Sequence, residues 1–147
     1  MEPTVRLVTA TERLTAVVAA STTWAAFPAL WRPLLDEVYA VIRAGGATQA
    51  GHNVMLYKDD VPNVEVGVEV AGPFPPHGRV IPSVLPAGPT AMTVHRGPYE
   101  ELGRGHDAIH RWCAANGHER AGPRWERYGD WRDDPRDLET EIYYLLR

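Results

Sequence analysis

Arg13-Leu14-Thr15-Ala16-Val17-Val18-Ala19-Ala20 opens a pattern that the chain uses twice. At an offset of 75 residues, Thr15-Ala16-Val17 falls on Thr90-Ala91-Met92, the start of Thr90-Ala91-Met92-Thr93-Val94-His95. The same offset carries Trp24 onto Tyr99 and Leu34 onto Ile109. Tyr57 falls on Tyr128 at an offset of 71, and Val68 on Ile142 at an offset of 74. One such match is chance, but an ordered series marks an internal repeat.

Each copy reads as strand, helix, strand, strand. In the first, Val5 to Val8 is a short apolar strand and Arg13 to Ala20 a stronger one. Ser21-Thr22-Thr23 offers N-cap oxygens for a helix. Trp24, Phe27, Leu30, Trp31, Leu34, Leu35, Val38, Tyr39 and Ile42 follow at helical spacing, with Gly45-Gly46 as the stop. Pro33 should kink that helix or start its main part. Val54 to Tyr57 is a strand. Val64, Val66, Val68 and Val70 alternate with Glu65, Gly67 and Glu69, which predicts a half-buried strand with its valines toward the core. The second copy supplies strands at 80–85 and 90–95, a helix over 99–116 ended by Gly117, a strand at 125–128 and a last strand over 138–146. The Pro- and Gly-rich stretch 71–78 is the seam between halves. We therefore expect one domain over 1–147, with repeats at about 1–72 and 79–147. The fold class is α+β: two βαββ units forming an antiparallel sheet, two main helices over one face, and a central cleft on the pseudo-two-fold axis.

The composition narrows the function. A chain of 147 residues can bury one core without staples. Its net charge of -4 argues against direct nucleic-acid binding and mildly favours cationic partners. No segment is long and apolar enough to span a bilayer, so no membrane role is expected. The single Cys113 fits a reducing, cytoplasmic setting. Five Trp and six Tyr can line a pocket and still present polar tips.

Glu126 is the first candidate for chemistry. It lies in Arg124-Trp125-Glu126-Arg127-Tyr128, and its repeat counterpart is Met55. Tyr57 and Tyr128 stand two positions on from Met55 and Glu126, so each pair shares a strand face. A carboxylate among aromatic rings can pair with a delocalised cation, or act as a general acid or base with a raised pKa. The competing reading is a solvated strand residue paired with Arg124 or Arg127.

His95-Arg96-Gly97-Pro98-Tyr99-Glu100-Glu101-Leu102 resembles the H-x-G-P-Y-x-x-L opening of the second helix in the gyrase-inhibitor-like (GyrI-like) small-molecule-binding family. Trp125-Glu126-Arg127-Tyr128, the Asp133-Asp134-Pro135 turn and Glu139-Thr140-Glu141-Ile142-Tyr143-Tyr144 are similar to its C-terminal hairpin. The same domain forms the effector-binding half of AraC- and MerR-type multidrug regulators. The resemblance implies an eight-stranded sheet of two SHS2-like βαββ repeats and a central ligand cleft for drugs or dyes with an acidic residue in it, and Glu126 is the matching position. One departure is Leu145-Leu146, where family members often carry a proline.

The ligand-lining expectation is then Glu126, Tyr57, Tyr99, Tyr144, Trp24, Trp112, Met55 and Tyr128. Trp112 divides evenly between pocket and core, Trp31 and Phe27 read as core, and Trp125 should face away from the cleft. His106 and His110 stand four apart on the second helix, but there is no HExxH pattern and no third ligand, so polar helix surface is the simpler reading and no metal is expected. Cys113 reads as a buried helix residue. No cofactor is expected.

Two functions follow. The first is a stand-alone binder of small hydrophobic or cationic organic compounds, sequestering or sensing them. The second, carried by the resemblance, is a hydrolase of cyclopropane-containing DNA-alkylating natural products, with Glu126 activating water. The sequence nominates no second acid/base group beside Glu126. A protein partner, such as a topoisomerase, has no specific support in the residues.

Overall fold

The computed structural model describes residues 3–147. Along the chain come strands β1 (Arg6–Ala10) and β2 (Arg13–Ser21), helix α1 (Phe27–Arg43), and strands β3 (Gln49–Tyr57) and β4 (Asn63–Val70). Then follow β5 (Val80–Leu85), β6 (Gly88–Arg96), helix α2 (Gly103–Asn116), β7 (Arg120–Tyr128) and β8 (Glu139–Leu146). Short 3-10 turns at Tyr99–Glu101 and Pro135–Asp137 precede α2 and β8. All eight strands form one antiparallel sheet in the order β1-β6-β8-β7-β3-β4-β2-β5.

The repeat is written into that order. It equates β2, β3 and β4 with β6, β7 and β8, so the sheet reads alike from either end, with the β3–β7 pair at its centre. The repeat boundaries are boundaries of sequence only. β1 leaves its own half to pair with β6, and β5 pairs with β2, so each half lends an edge strand to the other. Two residues join β1 to β2, although the strands stand at opposite ends of the order. Three Cα steps span at most about 11 Å, so the sheet must curl until its edges approach. Inside the curl, away from the helices, Val54, Leu56, Leu85 and Trp125 form a core with Ala10, Tyr143 and Leu145.

On the other face α1 packs on β2, β4 and β5, and α2 on β6 and β8. Phe27, Leu34, Leu35 and Val38 are the buried stripe of α1. Leu34 and Val38 are buried almost completely, each worth about 1.5–3 kcal/mol of burial. The helix starts at Phe27, later than Trp24, because Thr23 holds the preceding turn: its Oγ1 accepts from the Ala26 N–H at 3.1 Å. Pro28 stands in the first turn, where no N–H is needed, and Pro33 lies within the helix on its exposed side. Gly45 leaves the helix with φ +83°, a conformation that glycine adopts without strain.

Strand β4 departs from the expected half-buried pattern. Glu65 and Glu69 are 5% and 4% exposed, because the face opposite the valines is covered as well. Lys58 meets Glu65 at 2.7 Å and Ser83 donates to it at 2.6 Å. Arg127 grips Glu69 with two bonds of 3.0 Å, and Arg13 approaches the same carboxylate. Paired in this way the carboxylates tolerate burial. Glu69 keeps a pKa below the usual range: burial raises it, and the Arg127 contacts and the His52 N–H outweigh that.

Candidate ligand cleft

The two helices leave the central β3–β7 pair uncovered between them, and a cavity of about 410 Å³ opens there. Helix α1 supplies one wall through Phe27, Pro28, Trp31 and Leu35. The 3-10 turn before α2 supplies Tyr99 and Leu102, and Trp131 stands at the mouth, 69% exposed. The floor is Asn53, Met55 and Tyr57 from β3 with Glu126, Tyr128 and Gly129 from β7 and its end. The repeat is visible in the rings. Trp24 lies 5.4 Å from Tyr57, and its counterpart Tyr99 lies 5.6 Å from Tyr128.

Glu126 sits on the axis. Sheet register places it directly opposite Met55, its own repeat counterpart. It is 4% exposed and still hydrogen-bonded through both oxygens. Tyr57 and Tyr128 donate to Oε1 at 2.9 and 2.5 Å, and His106 Nε2 approaches Oε2 at 2.7 Å. Burial alone would raise the Glu126 pKa, but the His106 imidazole and the two hydroxyls outweigh it and hold the carboxyl below its ordinary value. The floor of the cleft therefore carries a carboxylate. The tyrosines move the other way: burial first, then the adjacent Glu126 charge, pushes both hydroxyls well above their ordinary pKa, so they remain donors.

His106 continues the network away from the cleft. Its Nδ1 lies 2.6 Å from the Tyr144 hydroxyl, and His110 Nε2 reaches the same hydroxyl at 3.2 Å. Arg120 Nη1 stands 3.3 Å from His110 Nε2. The protons follow from donor arithmetic. A carboxylate only accepts, so His106 Nε2 carries a hydrogen. A guanidinium only donates, so His110 Nε2 accepts. Tyr144 has one hydrogen and His110 Nε2 one lone pair, so Tyr144 and Arg120 cannot both donate to His110. His106 thus bridges the Glu126 carboxylate and the Tyr144 hydroxyl. Burial first, then Arg120 and His106, lowers the His110 pKa. Burial pushes the Tyr144 pKa up to about 12.

The residues singled out in the sequence divide among these places. Glu126, Tyr57, Tyr128, Met55 and Tyr99 converge on the cleft. Trp24 backs Tyr57 from outside the lining, with the Arg124 guanidinium 5.5 Å over its ring and Asp60 at 2.8 Å from that guanidinium. Tyr144 lies beneath His106 and His110 and lines a second, polar cavity with Arg120, Arg124 and His118. Trp112 stacks on His118 at 5.0 Å and packs on the core beneath α2, in the lining of neither cavity. Trp31 and Phe27 pack on the core, as read, and also wall the cleft. Trp125 is buried on the opposite face, stacked on Tyr143 at 5.3 Å. Cys113 is buried.

His106 is the residue that sequence reasoning misplaced. It was assigned to polar helix surface, and the structure turns it inward onto Glu126. Two signals were available. Leu102, His106, Ile109 and Cys113 follow at helical spacing, so the histidine lies within the inward stripe. The repeat also places His106 on Trp31, a cleft residue. His106 and His110 do share a helix face, but the side chain they share is Tyr144. Among the described residues no three metal-ligating side chains gather, and no helix is long and apolar enough to cross a membrane.

The arrangement of two helices over a curled, duplicated sheet with an uncovered centre matches a known domain. Residues 3–147 fit the GyrI-like small-molecule-binding domain. The chain belongs to that family. Among solved structures it is similar to the C-terminal domain of EcmrR, with a TM-score of 0.83 at 22% identity over 100% of this chain and 99% of that one. In the EcmrR–DNA complex the same likeness covers 99% of this chain and 57% of the longer chain. A hydrolase from Listeria innocua superposes with a TM-score of 0.68 at 12% identity, over 99% of this chain and 93% of that one. SAV2435 bound to tetraphenylphosphonium superposes with a TM-score of 0.68 at 13% identity, over 100% and 94%. At such identities the likeness is one of fold. No curated protein matches the sequence.

Proposed function

We propose that this GyrI-like domain holds amphipathic aromatic compounds, lipophilic organic cations foremost, in the cleft between its helices, and thereby sequesters or senses them in the cytoplasm. One observation carries the reading: a buried, ionised carboxylate, Glu126, at the floor of a cavity walled by Trp31, Phe27, Tyr57, Tyr99 and Tyr128. Aromatic faces attract a diffuse positive charge, and a desolvated carboxylate attracts it more strongly than an exposed one. An organic cation with its charge spread over rings enters such a cleft at less dehydration cost than an ammonium. That SAV2435 binds tetraphenylphosphonium on the same fold supports the choice of ligand class.

The test is a tryptophan-fluorescence titration with tetraphenylphosphonium, followed by competition with a rhodamine dye. Saturable quenching at one site, shared by the two cations, is the expected result. No saturable binding of either cation would sink the reading.

A second reading has its own observation. The hydrolase alternative lacked an acid/base partner for Glu126, and His106 stands 2.7 Å from it. In that reading Glu126 takes a proton from water as the water oxygen attacks a strained ring carbon, and Tyr99, whose hydroxyl is not committed to Glu126 as that of Tyr57 is, donates to the carbonyl oxygen that receives the electrons of the breaking C–C bond. Chromatographic detection of ring-opened, hydrated product from a cyclopropane-containing alkylating compound tests it. An unchanged compound after prolonged incubation counts against it.

A further inference from the structure

The second cavity, about 630 Å³, opens where α2 ends and β7 begins. It shares no lining residue with the ligand cleft. Its walls carry the guanidiniums of Arg120, Arg124 and Arg147 and the imidazoles of His110 and His118. Two carboxylates stand among them, Asp60 and Glu119, both on exposed residues.

An irregularity in the sheet gathers two of the arginines. Arg120 and Arg124 stand four apart in β7, which in a regular strand separates Cα atoms by about 13 Å. Their partners on β8, Leu146 and Tyr144, stand only two apart. β7 therefore bulges between them, with Gly122 at φ +122°, a conformation that L side chains rarely adopt. The bulge draws the two arginine positions together to about 7 Å of strand length.

Neither guanidinium is bound to a buried carboxylate. Arg120 Nη1 stands 3.3 Å from His110 Nε2, and among the described residues no carboxylate pairs with Arg120. The Arg124 side chain is 13% exposed, its guanidinium 5.5 Å from the Trp24 ring centre. Its acidic partner is Asp60 at 2.8 Å, and the Asp60 side chain is 91% exposed. A pair with so exposed a carboxylate is weak, because water competes for it. A ligand oxyanion can therefore replace Asp60 without leaving a buried negative charge unpaired.

Groups in the wall register the positive charge. Burial raises the Tyr144 pKa, and Arg124 and Arg120 oppose that by favouring an anion there. Burial lowers the His110 pKa, and Arg120 adds to it by disfavouring a further cation.

We propose that this cavity is a second binding site, for a small organic oxyanion whose phosphate or carboxylate group is gripped between Arg120 and Arg124 as Asp60 swings aside. Guanidinium planes present paired N–H donors that match two oxygens of such a group. The His118 ring, stacked on Trp112 at 5.0 Å, walls another side. The volume lies within the roughly 300–1,000 Å³ of small-molecule sites, so an organic body fits beside the charged group. The proposal is independent of whether the ligand cleft takes cations.

Calorimetric titration of the whole chain with phenyl phosphate and with benzoate, at constant ionic strength, tests the site. One saturable anion per chain is expected, and the tighter of the two identifies the preferred oxyanion. Arg120→Gln, at an exposed position, should weaken it about tenfold or more, the loss of one charge-assisted contact. Arg124→Gln should do the same, and Arg120→Gln carries the test if that variant does not fold. Arg32→Gln removes an equal charge from the exposed side of α1 and should leave the Kd within about twofold, since salt screens a distant charge. No saturable binding of either anion overturns the proposal. Equal weakening by Arg32→Gln and Arg120→Gln also overturns it, for that marks a diffuse field and not a site. Displacement of the bound anion by tetraphenylphosphonium would place it in the ligand cleft and overturn the proposal as well.

Discussion

Met55 and Glu126 face each other across the central strand pair, at the point where the internal repeat equates the same two positions. The axis of the fold therefore runs between a thioether and a carboxylate. Tyr57 and Tyr128 each point a hydroxyl at both, 3.8 and 3.4 Å from the Met55 sulfur. One carboxylate is held there by two tyrosines and His106; a second has no cation left to meet. Met55→Glu should therefore be destabilised by about 3 kcal/mol or more, the usual cost of an unpaired buried charge. Met55→Leu, which conserves volume, should cost under about 1.5 kcal/mol. Urea unfolding of the two variants checks this, and similar midpoints for both would contradict it.

The acid limb of stability should report Glu126. Its folded pKa lies below the ordinary value, mainly because the His106 and tyrosine contacts outweigh burial. A group with a depressed folded pKa adds stability that is fully present above its unfolded pKa, about 4.3 for Glu, and is lost as pH falls through the folded one. Tm should therefore drop between about pH 5 and 3. Glu69 contributes to the same limb, so Glu126→Gln should make the drop shallower without abolishing it. Thermal scans across that range measure the difference, and identical slopes would contradict the assignment.

The tryptophans separate wall from bystander. Trp31 lines the cleft and Trp112 stacks on His118 outside it. Trp31→Ala should weaken aromatic ligands by about 1.5–3 kcal/mol, the worth of a large buried apolar contact. Trp112→Phe should leave their Kd within a factor of about 2, in line with a surface change. Equal effects of the two substitutions would contradict the placement of the cleft.

Gly67 tests the packing of the sheet. A Cβ at this position would lie 1.8 Å from the Ala16 carbonyl oxygen in the neighbouring strand. Backbone cannot yield as a side-chain tip can, so Gly67→Ala should exceed the 1–3 kcal/mol typical of overpacking, measured as a fall in denaturant midpoint at constant slope. Near-wild-type stability would show that β2 and β4 are not as close as described.

The repeat made most of this architecture legible. Equating Tyr57 with Tyr128 placed Met55 and Glu126 on one face, and the valine alternation of β4 located a core strand. The exchange of β1 and β5 was not legible, because a strand carries no mark of which edge it will join. Glu65 and Glu69 looked like a solvated face because their partners Lys58, Ser83, Arg13 and Arg127 come from other strands and turns. His106 looked like helix surface for the same reason: a polar side chain's inward turn depends on the group that meets it, and Glu126 lies on a different element. Tyr144 shares the helix-facing side of the sheet with Ile142, as alternation required, yet α2 covers it from the cleft.

The central claim is that the Glu126 charge selects the ligand, and the Kd values of tetraphenylphosphonium and neutral triphenylphosphine oxide for wild type and Glu126→Gln at pH 8 test it most directly. Wild type should prefer the cation. In the variant the cation should lose about 10- to 100-fold, the equivalent of one charge-assisted contact of roughly 1.5–3 kcal/mol, while the neutral compound changes little. Equal losses for the two ligands, or none for the cation, would contradict the account.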